Sequence, residues 1–394
     1  MQRVHHKQDV YLAIATFALM VFGLIIVASA SVVQSFEATG SNNYYFIRQL
    51  IYAAVGISAW WLFSRIDYRI WRRYATILLG IAGVLLILVL IPGLGVESGG
   101  AKRWIDIGGL FTVQASEVLK FALMIYLAYW FEQRANRMNS FYGTFLPFIL
   151  LLGVVFLLVM QQPDLGSATL VALLAGTMYL VAGANWAQLG IIFGIGVAGI
   201  AALIQAAPYR LRRLLTFLNP GADPLGAGYH INQALMAIGS GGLFGLGYGR
   251  SRQKYNFLPE AASDSVFAII GEELGLLGTV ALVATYAFIV YRGLTIARQA
   301  PDTFGRLLAL GATCLIGYQA VLNMGAIVGM IPLTGVPLPF ISLGGTSLVV
   351  VLAATGILLN ISRYTTEPHK DEALLGGWWN WWTRYSNPGG GRGR

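Results

Sequence analysis

Two carboxylates stand where a polar stretch gives way to a long apolar run: Asp164 in QQPDLGS and Asp264 in LPEAASDSVFAII. At a helix entrance such a group serves first as an N-cap, because its oxygens accept from the unpaired N–H groups of the opening turn. The same position lets a carboxylate take a proton from a hydroxyl brought to the outer mouth of a membrane-spanning helix. Lys102, Arg103, Arg210, Arg212, Arg213 and Lys254 share that side of the chain's alternation across a membrane, and Glu260 shortly precedes Asp264. Glycosyl transfer from a lipid-linked pyrophosphate sugar would require such a set. One group deprotonates the attacking hydroxyl, and the departing pyrophosphate needs cations or N–H donors more than it needs a proton. The blander reading of the basic cluster is a face resting on anionic headgroups.

Four more charged residues fall inside apolar runs, where an ionised group is costly and therefore a functional suspect. Glu117 and Lys120 are three apart on neighbouring helix positions, placed either to neutralise one another or to face a polar cavity. Glu272 and Glu273 are adjacent, and adjacent helix positions diverge by about 100°. At most one of them is expected to meet Lys120 or a cavity, leaving the other to a helix or loop partner and a structural role.

Redox and zinc chemistry find no support. Cys314 is the single cysteine, so no disulfide forms within the chain, and His5, His6, His230 and His369 are dispersed without zinc-ligand spacing. No P-loop pattern is present, and the glycine-dense GSGGLFGLGYG follows no expected strand, so it reads as a tight re-entrant turn rather than a nucleotide fingerprint. Carboxylates near a pyrophosphate are compatible with Mg or Mn, but no ligand geometry for either can be read from the spacing.

The elements that must position these residues are membrane helices. Of 394 residues, 57% are hydrophobic and 11% charged, against about 25% charged in ordinary soluble chains, and the mean hydropathy is +0.67. Ten apolar runs are long enough to span, at 11–33, 47–63, 74–93, 114–131, 143–160, 168–184, 187–206, 265–290, 307–330 and 347–362. The expected fold is therefore an all-α polytopic membrane protein of about ten transmembrane helices. Ala28-Ser29-Ala30 resembles a cleavage site, but the run before it is too long for a signal core and reads as a retained anchor.

With the N-terminus inside, Arg65, Arg69, Arg72, Arg73, Arg134, Arg137, Arg292, Arg298 and Arg306 fall in the cytoplasm, and ten spans return the C-terminus there. The net charge of +9 is thus a matter of topology, and nucleic acid is not an expected partner. Residues 1–363 form one transmembrane domain and 364–394 a cytoplasmic tail with an aromatic anchor, WWNWW. The exception to the charge rule is one long extracytoplasmic loop, about 207–264, between helices 7 and 8. Within it Ile231, Leu235 and Ile238 recur at helical spacing, which predicts an interfacial amphipathic helix lying on the membrane.

At these residues the sequence resembles the SEDS family of bacterial shape, elongation, division and sporulation proteins, whose branches are FtsW, RodA and SpoVE. The resemblance is carried by GAKRWI from Gly100, QASEVLK from Gln114, QQPDLGSATL from Gln161, NPGADPLGAGYHINQALMAIGSGGLFGLGYGRSRQKYNFLPEAASDSVFAIIGEELG from Asn219, and PLTGVPLPFISLGGTSL from Pro332. It implies a peptidoglycan glycosyltransferase of the bacterial cytoplasmic membrane, with an inverting mechanism and an active site on the outer face. Its substrates would be lipid II and the nascent glycan strand. Undecaprenyl pyrophosphate would be released, and the partners would be a class B penicillin-binding protein and other divisome or elongasome proteins.

The resemblance marks Asp264 as the catalytic carboxylate and places Glu117 and Lys120 on a central polar cavity, with Lys102, Arg103 and Asp164 in further motifs. SRQKYNFLPEAA leans toward FtsW and SpoVE and TGVPLPF toward RodA, with FtsW preferred. Ser263 and Ser265 flank Asp264 where the family shows threonine and phenylalanine, and Leu343 replaces a tyrosine. Without the aromatic, the carboxylate is expected to be more hydrated and less rigidly held. Two other classes stay open on the residues alone. A lipid II flippase would also show intramembrane Glu117, Lys120 and Glu272 with interrupted segments near 161–167 and 331–346, and a scaffold would leave those charges unexplained.

Overall fold

The computed structural model describes residues 7–98, 101–108, 111–206 and 228–365, together with 211, 215–219, 221, 223, 224 and 226. Each of the ten apolar runs contains a helix. In chain order these are α1 (Val10–Ala30), α2 (Val32–Thr39), α3 (Tyr44–Arg65), α4 (Ile70–Leu90), α5 (Ala115–Gln133), α6 (Leu146–Met160), α7 (Leu165–Val181), α8 (Trp186–Ala206), α9 (Tyr229–Gly241), α10 (Val266–Gln299), α11 (Thr303–Ile327) and α12 (Gly345–Ser362). Here α2 and α9 are short additions to the run count. Among the described residues, seven helices are long and apolar enough to cross a membrane: α1, α3, α4, α6 with the turn before it, α10, α11 and α12. α7 is apolar but shorter, and α5 carries Glu117, Lys120 and Glu132.

The helix surfaces show what surrounds them. α1, α4, α6 and α10 expose Phe17, Ile77, Ile81, Val84, Leu150, Val154, Leu157 and Val280, a flank suited to lipid rather than water. α11 and α12 are buried on nearly every side and form the centre. α12 approaches α3 through glycine on both helices. A Cβ on Gly56 would fall 2.5 Å from a Leu352 methyl, and one on Gly356 would fall 2.6 Å from the Trp60 carbonyl oxygen. Small residues of this kind let helix backbones close in lipid, where packing must replace the hydrophobic effect.

A carboxylate accepts at the start of three helices: Asp9 from Leu12 N–H, Asp164 from Ser167 N–H and Asp302 from Gly305 N–H. Ion pairs tie one end of the bundle together, namely Arg292 with Asp9, Arg69 with Asp302, and Arg72 with Glu132. The up-and-down course of the helices puts Asp164 and Asp264 at the opposite end.

That end also holds an element not anticipated by an all-α reading: a three-stranded antiparallel sheet of β1 (Gly95–Ser98), β2 (Ala101–Ile107) and β3 (Phe111–Gln114), in the order β1-β2-β3. Tyr52 of α3 accepts from Thr112 N–H at 2.7 Å, and Thr346 Oγ1 donates to the Thr112 carbonyl, so the sheet is pinned to α3 and α12.

α10 is broken. Gly275 has φ 67° and ψ −163°, which interrupts the helical ladder. In an unbroken helix the carbonyls of Glu272 and Glu273 would accept from Leu276 and Leu277. Instead they accept from Leu246 and Gly247, and Leu276 and Leu277 donate to the carbonyls of Gly242 and Leu243. The glycine-rich turn after α9, with positive φ at Gly242, Gly245, Gly247 and Gly249, thus fills the break. α9 does not simply lie on the membrane. Ile231, Ala234, Ala237 and Gly241 are buried, α9 packs on α10, and Leu235, expected on its apolar face, points outward.

Candidate active site

Asp264 lies at the wall of a cavity of about 510 Å³ between the loop entering α10, α9, α11 and the 332–336 segment. The carboxylate is half-buried. Glu260, His230, Asn323, Thr334 and Gly335 share the lining with Thr216 and Phe217. The wall opposite Asp264 is backbone: Gly335 has φ 69°, and a Cβ there would come 3.4 Å from Asp264 Oδ2.

The turn carrying Asp264 is held at many points. Glu260 adopts φ 49°, a left-handed conformation that costs a non-glycine residue about 1–2 kcal/mol, and its carbonyl accepts from both Ser263 and Ser265 N–H. Asn323 Nδ2 donates to the Asp264 carbonyl and to the Val336 carbonyl, each at 2.8 Å. Ser342 Oγ donates to the Ser263 carbonyl, and Leu343 N–H to the Ala262 carbonyl. Ser265 Oγ lies 2.6 Å from His230 Nε2 and 2.9 Å from the Pro259 carbonyl. Hydrogen bonds thus hold the backbone beside the carboxylate firmly.

The N-cap of α10 is Ser265, one residue beyond Asp264. The capping role weighed for Asp264 therefore does not apply, whereas Asp164 does cap α7. Asp164 is buried, bonded to Ser167 N–H and to Ser116 Oγ at 3.1 Å, and stands apart from the cavity.

The remaining predicted site residues divide. Glu117 and Lys120 form a 2.6 Å ion pair, with Gln319 Nε2 3.4 Å from the second Glu117 oxygen; both charged groups are fully buried, outside the Asp264 cavity. Lys254, expected to contact substrate, is instead sealed in. Its Nζ donates to Gly249 O, Ser29 Oγ and Glu273 Oε1. Glu272 accepts from Ser251 Oγ and from the N–H groups of Arg252 and Gln253. Neither glutamate turns to Lys120: both clamp the 251–254 loop, the structural role expected of at least one of them. Arg103 donates to the carbonyls of Gln162 and Pro163, fastening β2 to the turn before α7, while Lys102 on the same strand is exposed. Arg210, Arg212 and Arg213 lie outside the described residues.

Sequence reasoning passed over Asn323, His230 and Gly335. Asn323 carried a signal, being a polar residue deep in an apolar run. The other two are defined by contacts across long sequence separations. Among the described residues no group of three or more His, Cys, Asp or Glu is gathered as a metal site. Two carboxylates on one cavity wall fit a hard cation only if a ligand's oxygens complete its shell.

The family model FTSW_RODA_SPOVE, described as cell cycle protein, matches residues 10–367. Stage V sporulation protein E of Bacillus subtilis is 41% identical over 357 residues, covering 91% of this chain and 97% of that protein. A probable peptidoglycan glycosyltransferase FtsW of Trichlorobacter lovleyi is 42% identical over 359 residues, covering 90% and 93%. Among solved structures, a chain of a peptidoglycan synthase complex that coordinates polymerization and crosslinking aligns with TM-score 0.75 and 27% identity, over 92% of this chain and 99% of that one. The rod shape determining protein RodA of Thermus thermophilus aligns with TM-score 0.66 and 28% identity, over 91% and 98%.

Proposed function

The chain belongs to the FtsW/RodA/SpoVE family of multi-pass bacterial membrane proteins, and from that membership we propose that it is a peptidoglycan glycosyltransferase that polymerises lipid II, with a role in cell division. The observation that carries the reading is the Asp264 carboxylate, half-buried on the wall of an open cavity and fixed through its own backbone. Asp264 takes the proton from the sugar 4-hydroxyl of one lipid II. The oxygen attacks the anomeric carbon of the growing chain, that carbon inverts, and undecaprenyl pyrophosphate leaves.

The arginine-rich opposite end suits the cytoplasm, which supports assigning the cavity to the outer face of the cytoplasmic membrane. Lys102, Arg250 and Arg252 are exposed described cations at the cavity end. Arg210, Arg212 and Arg213 stay candidates for pyrophosphate contact on sequence grounds. With pyrophosphate oxygens, Asp264 and Glu260 would hold Mg or Mn, which would supply charge neutralisation to the leaving group; chelation should then slow the reaction and either ion restore it. A class B penicillin-binding protein is the proposed partner, in keeping with the synthase complex that the chain resembles.

The test is pure protein with labelled lipid II in detergent, where flipping has no meaning. Glycan ladders from the wild type and none from Asp264→Asn are expected; an active Asn variant overturns the assignment. The carrier reading draws less support, because broken carrier helices line the substrate path. The break at Gly275 is filled by the 242–247 turn.

A further inference from the structure

We propose that His230 is a positioning residue for Asp264, acting through Ser265, the neighbour that follows the carboxylate in the chain. The inference rests on the glycosyltransferase reading above and assigns to α9 a part in that chemistry.

Proton counting orients the bond. A serine hydroxyl has one hydrogen, and a proline carbonyl can only accept. For both of its contacts to be hydrogen bonds, the Ser265 hydroxyl gives its hydrogen to the Pro259 carbonyl at 2.9 Å and accepts from His230 Nε2–H at 2.6 Å. Both the Nε2–H tautomer and the imidazolium carry that hydrogen. The contact therefore persists in both of these forms, as a fixed strut rather than a relay.

Its place in the turn gives the strut its effect. The peptide before Asp264 is held at the Ser263 carbonyl by Ser342, and the Asp264 carbonyl is held by Asn323 from α11. On the following residue, Ser265 N–H is fixed to Glu260 and the hydroxyl to Pro259, both within the same turn. His230 adds the tie from this turn to α9. α9 is in turn set rigidly on α10: a Cβ on Gly241 would fall 2.0 Å from the Gly271 carbonyl oxygen. Without His230 the 259–265 turn rotates about its remaining bonds and the carboxylate leaves its line to the attacking hydroxyl. Misplacement by about 1 Å costs on the order of 100-fold in rate.

The experiment uses the full-length protein in detergent with labelled lipid II, measuring kcat, KM and the thermal midpoint of each variant. His230→Ala should lower kcat by about ten- to a hundredfold while KM stays within about twofold, since positioning acts on the transition state. His230→Gln retains an N–H donor of similar reach and should recover most of the loss. Ser265→Ala also loses the bond to Pro259 and should be at least as slow as His230→Ala, and the double variant should be no slower than Ser265→Ala, because both changes remove the His230–Ser265 contact. Wild-type kcat in His230→Ala, a Gln variant no better than the Ala variant, or single losses that multiply in the double variant would each overturn the proposal. A wild-type protein that makes no glycan would instead bring down the polymerase reading, and this inference with it. An active wild type with Asp264→Asn dead and His230 variants unaffected removes this inference alone.

Discussion

Gly245 and Gly275 meet backbone to backbone: a Cβ on Gly275 would lie 2.4 Å from the Gly245 nitrogen, and one on Gly245 would lie 2.2 Å from the Glu273 carbonyl oxygen. The contact makes the break in α10 and the turn after α9 a single construction. Each supplies the hydrogen bonds the other lacks.

Gly275→Ala therefore meets two penalties, a positive φ of 67° and a backbone overlap that no rotamer relieves. That φ/ψ combination, essentially restricted to glycine, alone costs about 1–3 kcal/mol, and the overlap adds to it. We expect a large drop in thermal midpoint and in yield of folded protein. A midpoint equal to wild type would show that the turn is not locked into the break.

Gly335→Ala tests the wall opposite the carboxylate. The residue has φ 69°, and its new Cβ would touch Asp264 Oδ2 at 3.4 Å. Strain of about 1–2 kcal/mol is expected, together with reduced glycan synthesis by protein that still folds. Unchanged kcat with a lowered midpoint would place the reacting atoms away from this wall.

The buried Glu117–Lys120 pair should behave asymmetrically under substitution. Lys120→Met leaves a buried carboxylate without its cation, a change that costs about 3–5 kcal/mol in comparable sites. The double change Glu117→Gln with Lys120→Met removes both charges and should recover much of that stability. Chemical or thermal unfolding of the three variants measures it, and a double variant less stable than both singles would refute the account.

At the other end of the bundle, the Tyr68 hydroxyl donates to Asp302 Oδ2 at 2.7 Å, next to the ion pair of Asp302 with Arg69. Burial, and then the Asp302 bond and charge, push the phenol well above its usual range. The folded form thus holds its proton where the unfolded chain releases it. Stability from this group is complete below the unfolded value of about 10 and is lost as pH rises past it. Tyr68→Phe should lower the midpoint at neutral pH by the loss of a bond to a charged acceptor, about 1.5–3 kcal/mol, and make the alkaline fall shallower. An identical alkaline slope in the variant would rule out the assignment.

The helices were legible because apolar runs of about 20 residues have few other uses, and the capping of α7 by Asp164 followed from its place before such a run. The start of α10 was legible only to within a residue. Ser263, Asp264 and Ser265 are all able caps, and tertiary bonds decided that Ser265 opens the helix and Asp264 faces the cavity. Glu272 and Glu273 looked like reactive charges in lipid, and Lys254 like a cation open to substrate, because a sequence shows what a charge costs but not its partner. Those partners, Ser29 and the 251–254 loop, arrive through folding of segments far apart in the chain. The sheet at 95–114 was missed for a related reason: its strands are short and gain stability from Tyr52 and Thr346 rather than from their own pattern.

Because one amide, that of Asn323, suspends both the Asp264 carbonyl and the Val336 carbonyl, the two flanks of the chamber travel together when α11 shifts. Sliding or tilting of that helix leaves the aperture between them unchanged. Widening must come from other parts of the lining, such as the Thr216–Phe217 segment, rather than from α11.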